Sequence, residues 1–250
     1  PTTLLSQVDS AIGGKTALNH PRAKNLIGAF HSPSLVVCDT DVLKTLPSRE
    51  WLSGLAEALK TGLATAPRLF RFLEQHGQAV LRGESWAVSQ TVSACVRAKA
   101  ALVQIDERDK NGRRAVLNLG HTIGHALEAA TGYRFLRHGE AVLFGLRAAL
   151  YLSLRTGRLD ARSFRRIAAV VDGLLHEVPR LDPPRELCIE SILSALRHDK
   201  KSANGKQQLI LLEGIGRPVV VDAPEPALME EAIRSLVAAV SEPASIASWS

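Results

Sequence analysis

Aromatic residues are scarce in this 250-residue chain: 3 Trp, 2 Tyr and 6 Phe, or 4% of the whole. Sulfur is scarce too, with 3 Cys and 1 Met. No apolar run approaches the roughly 18 residues that a membrane-spanning helix needs, so no such span is expected. No charged-then-apolar leader opens the chain, which leaves secretion without support. Cys38, Cys95 and Cys188 have no CxxC spacing and cannot all pair, so a reduced, cytoplasmic setting is expected. The shortage of aromatics also bears on charge. Lys and Arg total 31 against 25 Asp and Glu, a net charge of +6, and that basicity invites a nucleic-acid reading. Nucleic-acid binders usually join clustered cations to stacking aromatics. Here the cations are dispersed, apart from Arg113-Arg114, Arg165-Arg166 and Lys200-Lys201. A small anionic substrate needs only a few cations in one pocket and is the better partner; neither nucleic acid nor membrane is expected. Pro1 stands where an initiator Met is usual, so processing or a longer parent chain is expected.

What the chain does have is 46% hydrophobic and 22% charged residues, ordinary for a folded domain and enough apolar area to offset ordering entropy. The first thirty residues, rich in Gly, Ser, Thr and Asn, read as loop. Ser34 to Asp39 (SLVVCD) reads as a short buried strand. From Pro47 the pattern turns helical, with Leu52, Leu55, Ala56, Leu59 and Leu63 at helical spacing. Further helices are predicted near 67–82, 85–106, 119–131, 138–156, 160–173, 185–198 and 226–240. One hairpin interrupts them, Gln208–Leu212 and Pro218–Val221 with Gly214 and Gly216 between. Ser241–Ser250 reads as a loose polar tail. The fold class is therefore mainly α, preceded by about forty residues that read as the end of an α/β unit.

Several residues bear chemistry. His121 and His125, in His121-Thr-Ile-Gly-His125, lie four apart on one helical face and can share a metal ion. Thr122 stands where a zinc protease motif has its catalytic Glu, so that reading fails. A third ligand must come from elsewhere, with His138 and Glu57 as candidates; two imidazoles and a carboxylate with an open position make a known catalytic zinc arrangement. Glu57 and Lys60 flank the leucine stripe on one side, a spacing that an ordinary surface pair also has. Lys99 shares a stripe with Val92, Val96 and Val103. An ammonium there must meet an anion or reach back to solvent along its stem. Gly13-Gly14-Lys15-Thr16 lacks the earlier glycine of a P-loop, because Asp9 stands there. A glycine loop with Lys15, followed by Lys24-Asn25, can still hold an anionic oxygen. Arg113 and Arg114 sit in a turn that leads to the histidine helix, and a guanidinium suits a carboxylate.

Taken together, DSAIGGKTALNHPRAKNLIGAF (9–30), LPSREWLSGLAEALKTG (46–62), GRRAVLNLGHTIGHALE (112–128) and HGEAV (138–142) resemble the 3-dehydroquinate synthase family of sugar-phosphate cyclases. The resemblance covers essentially the whole chain. It implies the C-terminal helical domain of a two-domain fold (46–241), preceded by the last portion of an α/β NAD-binding domain (1–45) and followed by a flexible tail (242–250). It implies a lyase of the shikimate pathway, leading to chorismate and the aromatic amino acids. The reaction would convert 3-deoxy-D-arabino-heptulosonate 7-phosphate to 3-dehydroquinate and phosphate by transient NAD oxidation, phosphate elimination and aldol closure, with the phosphate itself as base. Zn2+, or alternatively Co2+, would sit on Glu57, His121 and His138. Asp9, Lys15, Lys24 and Asn25 would line the nucleotide side. Lys15, Lys60, Lys99, Arg114, Asn118, His125 and Lys200 would serve substrate and catalysis, with Lys201 the alternative to Lys200. Lys99 and Arg114 would meet the carboxylate; Asn25, His125 and Lys200 would meet the phosphate. The family is commonly a homodimer.

Two departures stand out. The family carries more of its nucleotide-binding domain ahead of the point where this chain begins, so a longer natural protein is expected. Thr61 replaces an aromatic residue common after the lysine at position 60. The alternatives are an inosose- or valiolone-type cyclase whose substrate has no carboxylate, a non-catalytic remnant, and a metal-dependent polyol dehydrogenase that would release NADH.

Overall fold

The computed structural model describes residues 1–20, 23–179, 187–198 and 207–241, with the backbone alone at 19, 20, 23–26, 198 and 241. Eight α-helices are described: α1 Ser48–Ala64, α2 Pro67–Leu81, α3 Ser85–Ile105, α4 His121–Ala130, α5 His138–Arg155, α6 Ala161–Leu175, α7 Ile189–His198 and α8 Pro226–Ser241. Two antiparallel hairpins accompany them: β1 Lys15–His20 with β2 Ala23–Phe30, and β3 Gln208–Gly214 with β4 Arg217–Asp222. The predicted helices and the second hairpin are present. Lys200, Lys201 and the 242–250 tail lie outside the described residues.

Helix α1 is the axis of the fold. It follows extended Pro47 and ends where Thr65 donates to Thr61 O, just before Pro67 starts α2. It packs against α2, α3, α5 and a π-helical turn at Ser6–Ser10. As a result every residue from Trp51 to Ala64 is buried, not only the leucine stripe. Each fully buried leucine contributes roughly 1.5–3 kcal/mol, and Leu55, Leu59 and Leu63 are all inaccessible. Because no face of α1 meets water from Trp51 onward, its Glu57 and Lys60 are interior groups. Helix α4 packs on α5 and α7, and α5 packs on α1, α6, α8 and β3.

Two close approaches set where α5 begins. A Cβ on Gly139 would lie 2.2 Å from Ser53 O, so only glycine lets α5 rest its backbone on α1. A Cβ on Gly145 would lie 2.0 Å from Gly120 O, which presses α5 onto the start of α4.

Two expectations fail near the N-terminus. Residues 1–30 are not loop throughout: they hold the π-helical turn and the β1–β2 hairpin. Conversely, Ser34–Asp39 forms no strand. That segment is irregular, with Leu35 78% and Val37 65% exposed. A β-branched run makes a strand only when a neighbour completes its hydrogen-bond ladder, and none runs beside this one among the described residues.

Candidate functional site

The site is built where α1, α4 and α5 converge. The start of α5 is pinned three ways. The Glu140 carboxylate takes a two-pronged contact from Arg49, at 2.7 and 2.6 Å, and accepts from Arg137 N at 2.8 Å. Gly139 N donates to Ser53 Oγ at 3.0 Å. His138, the first residue of α5, is thereby held over Glu57 of α1. Helix α4 brings His121 and His125 alongside, with ring centroids 5.1 Å apart and 5.2 and 5.7 Å from His138.

Glu57 is fully buried. Its Oε1 lies 3.3 Å from His121 Nε2 and 3.5 Å from His138 Nε2, and Lys60 Nζ is in ion-pair contact with Oε2. None of these approaches has the alignment of a hydrogen bond, so both carboxylate oxygens are buried without one. Such spacing suits ligands of a shared ion: with metal–ligand bonds of about 2.0–2.1 Å, the edge of a tetrahedron is about 3.4 Å. The two edges from Glu57 to the imidazoles thus match a divalent metal of the zinc type. A second grouping overlaps it, since one nitrogen each from His121, His125 and His138 lie within 4.8 Å of one another.

The electrostatics agree. Burial pushes the His121 imidazole down to about 3, which keeps it neutral with a lone pair to offer. Burial alone would raise the Glu57 carboxyl, yet Lys60, His121 and His138 outweigh it and hold the group well below the usual carboxylate range. Burial likewise opposes the charge on His138, but Glu128 and Glu57 overcome it and raise the ring to about 9. A metal must displace that proton.

Beside the histidines runs a chain of buried charge. Lys99 donates to Asp9 O at 2.6 Å and pairs with Asp9 Oδ1 at 2.7 Å. Burial of Asp9 is overcome by Lys60 and Lys99, which hold its carboxyl down. Lys99 therefore meets its anion inside and does not reach back to solvent. The structure brings together Asp9, Glu57, Lys60, Lys99, His121, His125 and His138.

Lys15 and Arg114 stand at the margin. Lys15 pairs with Asp109, and the Arg114 guanidinium braces the same loop through Glu107 O at 3.0 Å, with Nη2 beside Gly13. Asn118 is exposed and lines a small cleft with Thr122, Gly145 and Ile210. Among the described residues no hydrogen bond or ion pair joins it to the charged cluster. Lys24 and Asn25 lie on β2, their side chains outside the described residues.

Sequence reasoning missed two carboxylates. Asp109, at φ 52°, sits in a run (DERDKNGRR) that reads as a solvated turn, and no local signal ties it to a lysine 94 residues away. Glu128 had a signal: with His121 and His125 it completes an i, i+4, i+7 set on one face of α4.

The profile of the 3-dehydroquinate synthase C-terminal region matches residues 54–202, and that of the N-terminal region matches residues 1–53. A 3-dehydroquinate synthase of Rhodospirillum rubrum is 46% identical over 241 residues, covering 95% of this chain and 62% of the relative. One from Acidithiobacillus ferrooxidans is 44% identical over 237 residues, covering 95% of this chain and 64% of its own length. The chain thus spans less than two thirds of these relatives. Among solved structures, 2-epi-5-epi-valiolone synthase from Streptomyces hygroscopicus subsp. jinggangensis, with NAD+ and Zn2+ bound, superposes with a TM-score of 0.84 at 30% identity, covering 95% of this chain and 65% of that one. A 2-deoxy-scyllo-inosose synthase complexed with carbaglucose-6-phosphate, NAD+ and Co2+ gives 0.81 at 27% identity, covering 94% and 65%. With the motifs, the helical architecture and the profile matches in agreement, the chain belongs to the 3-dehydroquinate synthase family.

Proposed function

We propose that this chain supplies the metal- and substrate-binding part of a 3-dehydroquinate synthase, which converts 3-deoxy-D-arabino-heptulosonate 7-phosphate to 3-dehydroquinate and phosphate in the shikimate pathway. The observation that carries the reading is Glu57 Oε1, buried and without a hydrogen bond, 3.3 and 3.5 Å from two imidazole nitrogens. The 44–46% identity to relatives of that name supports it. In this reading residues 46–241 are the helical domain and residues 1–45 belong with the nucleotide-binding part; the N-terminal profile match over residues 1–53 supports placing residues 1–45 there. The protein acts in the cytoplasm as a homodimer; no described helix is long and apolar enough to cross a membrane.

Glu57, His121 and His138 hold Zn2+, or Co2+ as its alternative. Asp9, Lys15, Lys24 and Asn25 line the NAD side. When bound, NAD supplies a hydride acceptor and the ion a Lewis acid that polarises the hydroxyl being oxidised. The protein's share is largely electrostatic. Lys60 keeps Glu57 ionised inside the fold, and Asp9 does the same for Lys99. Lys99 and Arg114 present cations to the substrate carboxylate, where a guanidinium gives a directional fork. Asn25, His125 and Lys200 serve the phosphate, and Asn118 orients the sugar acid. Asp109 holds Lys15 in place until an anionic substrate competes for the ammonium.

The test is phosphate release from the heptulosonate phosphate with NAD+ and Zn2+, measured on the protein at the length of its curated relatives. Turnover without net NADH is expected. Preference for sedoheptulose 7-phosphate would instead assign a valiolone-type cyclase, like the Streptomyces enzyme. Net NADH would assign a polyol dehydrogenase. Binding of neither zinc nor NAD+ would mark a non-catalytic remnant.

A further inference from the structure

We infer that Glu128 is the positioning residue of the metal centre, fixing the ring of His138 so that its Nε2, and not its Nδ1, faces Glu57. The inference rests on the metal reading above and deepens it.

His138 needs such a partner. As the first residue of α5 it has no preceding helical turn to pack on, and 29% of its side chain is exposed. A ring so placed can turn about Cβ–Cγ and present either nitrogen. Glu128 removes that freedom. Its Oε2 lies 3.3 Å from His138 Nδ1, while Nε2 on the far side of the ring lies 3.5 Å from Glu57 Oε1. Glu128 is itself 4% exposed, so its carboxylate is a fixed acceptor. An acceptor at Nδ1 selects the tautomer with the proton there, which leaves the Nε2 lone pair for the ion and raises its basicity. His121 is held by the same logic: its Nδ1 lies 3.3 Å from Leu119 O, and its Nε2 is turned to Glu57. One face of α4 thus carries His121, His125 and Glu128, so a single helix provides one metal donor and the group that aims the donor of α5.

The test compares the unmodified chain with Glu128→Ala and Glu128→Gln. Zinc affinity is read by chelator competition, folding by circular dichroism, and the His138 tautomer by 15N–1H spectra of the zinc-loaded protein. The unmodified chain should show His138 protonated on Nδ1 with Nε2 on the metal. Glu128→Ala should lose roughly 10–100-fold in zinc affinity and lose the fixed Nδ1–H signal. Glu128→Gln keeps an acceptor and should lose less than 10-fold, with that signal retained; it carries the test if the alanine variant does not fold. A folded Glu128→Ala protein with unchanged affinity and an unchanged Nδ1–H signal would overturn the inference alone. Failure of the unmodified chain to bind zinc would overturn the metal reading and this inference with it.

Discussion

Gly139→Ala is a sharp probe of the proposed metal site, because it perturbs that site through the backbone without touching a proposed ligand. The added methyl carbon would fall 2.2 Å from Ser53 O and 2.4 Å from Ser53 Cα. Both are main-chain atoms of α1, so no rotamer change relieves the clash. Ordinary contact lies near 3.5 Å, which requires the start of α5 to retreat by about 1 Å. His138 is the adjacent residue and Glu57 lies one helical turn beyond Ser53, so the 3.5 Å gap between His138 Nε2 and Glu57 Oε1 opens with it. The bond from Gly139 N to Ser53 Oγ is strained at the same time. Overpacking of this kind costs about 1–3 kcal/mol, and metal ligands tolerate only about 0.2 Å of misplacement. Urea unfolding of the metal-free protein should therefore show a loss of about 2–3 kcal/mol. Chelator competition should show zinc affinity falling by roughly 100-fold or more, about 2.7 kcal/mol. Wild-type stability together with wild-type zinc affinity in Gly139→Ala would refute the packing argument.

Gly77 in α2 and Gly173 in α6 have nothing within 4 Å of an added Cβ, so alanine at either should stabilise the chain by roughly 0.5–1 kcal/mol in urea unfolding. Lys60→Met removes the cation paired with Glu57 Oε2 and leaves only the protonated His138 ring, 3.5 Å from Oε1, as a cation beside the buried carboxylate, so the loss should approach the roughly 3–5 kcal/mol of a broken buried pair. That loss should shrink when zinc is added, because the ion replaces the missing charge. Lys99→Met should weaken substrate binding more than it harms folding, as measured by KM and Tm; a large Tm loss with unchanged KM would restore a purely structural role. Acid stability should depend on Asp9: its folded carboxyl titrates below its unfolded value, held there by Lys60 and Lys99 against burial. Its contribution is then complete above about pH 4 and lost as pH falls through the folded value. Tm measured from pH 5 to 3 should drop less steeply in Asp9→Asn.

The helices were legible in the sequence because each carries a local, periodic apolar stripe bounded by Pro, Gly or a polar cap. The β1–β2 hairpin was not. Leu18 is 69% and Ile27 59% exposed, so neither strand has the one-sided burial that writes alternation into sequence. Ser34–Asp39 failed in the opposite sense, since apolar β-branched residues name a strand only when a partner exists. At the site, the i, i+4 histidines and Lys99 on an apolar stripe were readable as chemistry. The burial of Glu57 and Lys60 was not, because their spacing is that of any surface pair. Only the packing of α1 on all sides makes them interior. Asp109 was invisible for a related reason: its partner Lys15 is remote in the chain.

X-ray absorption of the zinc-loaded protein, with zinc content measured for Glu57→Gln, His121→Ala and His138→Ala, reaches the central claim most directly. The account predicts one zinc per chain, bound by two imidazole nitrogens and one carboxylate oxygen at about 2.0–2.1 Å, and loss of the metal in all three variants. A shell of three imidazoles, with full zinc retained in Glu57→Gln, would contradict it.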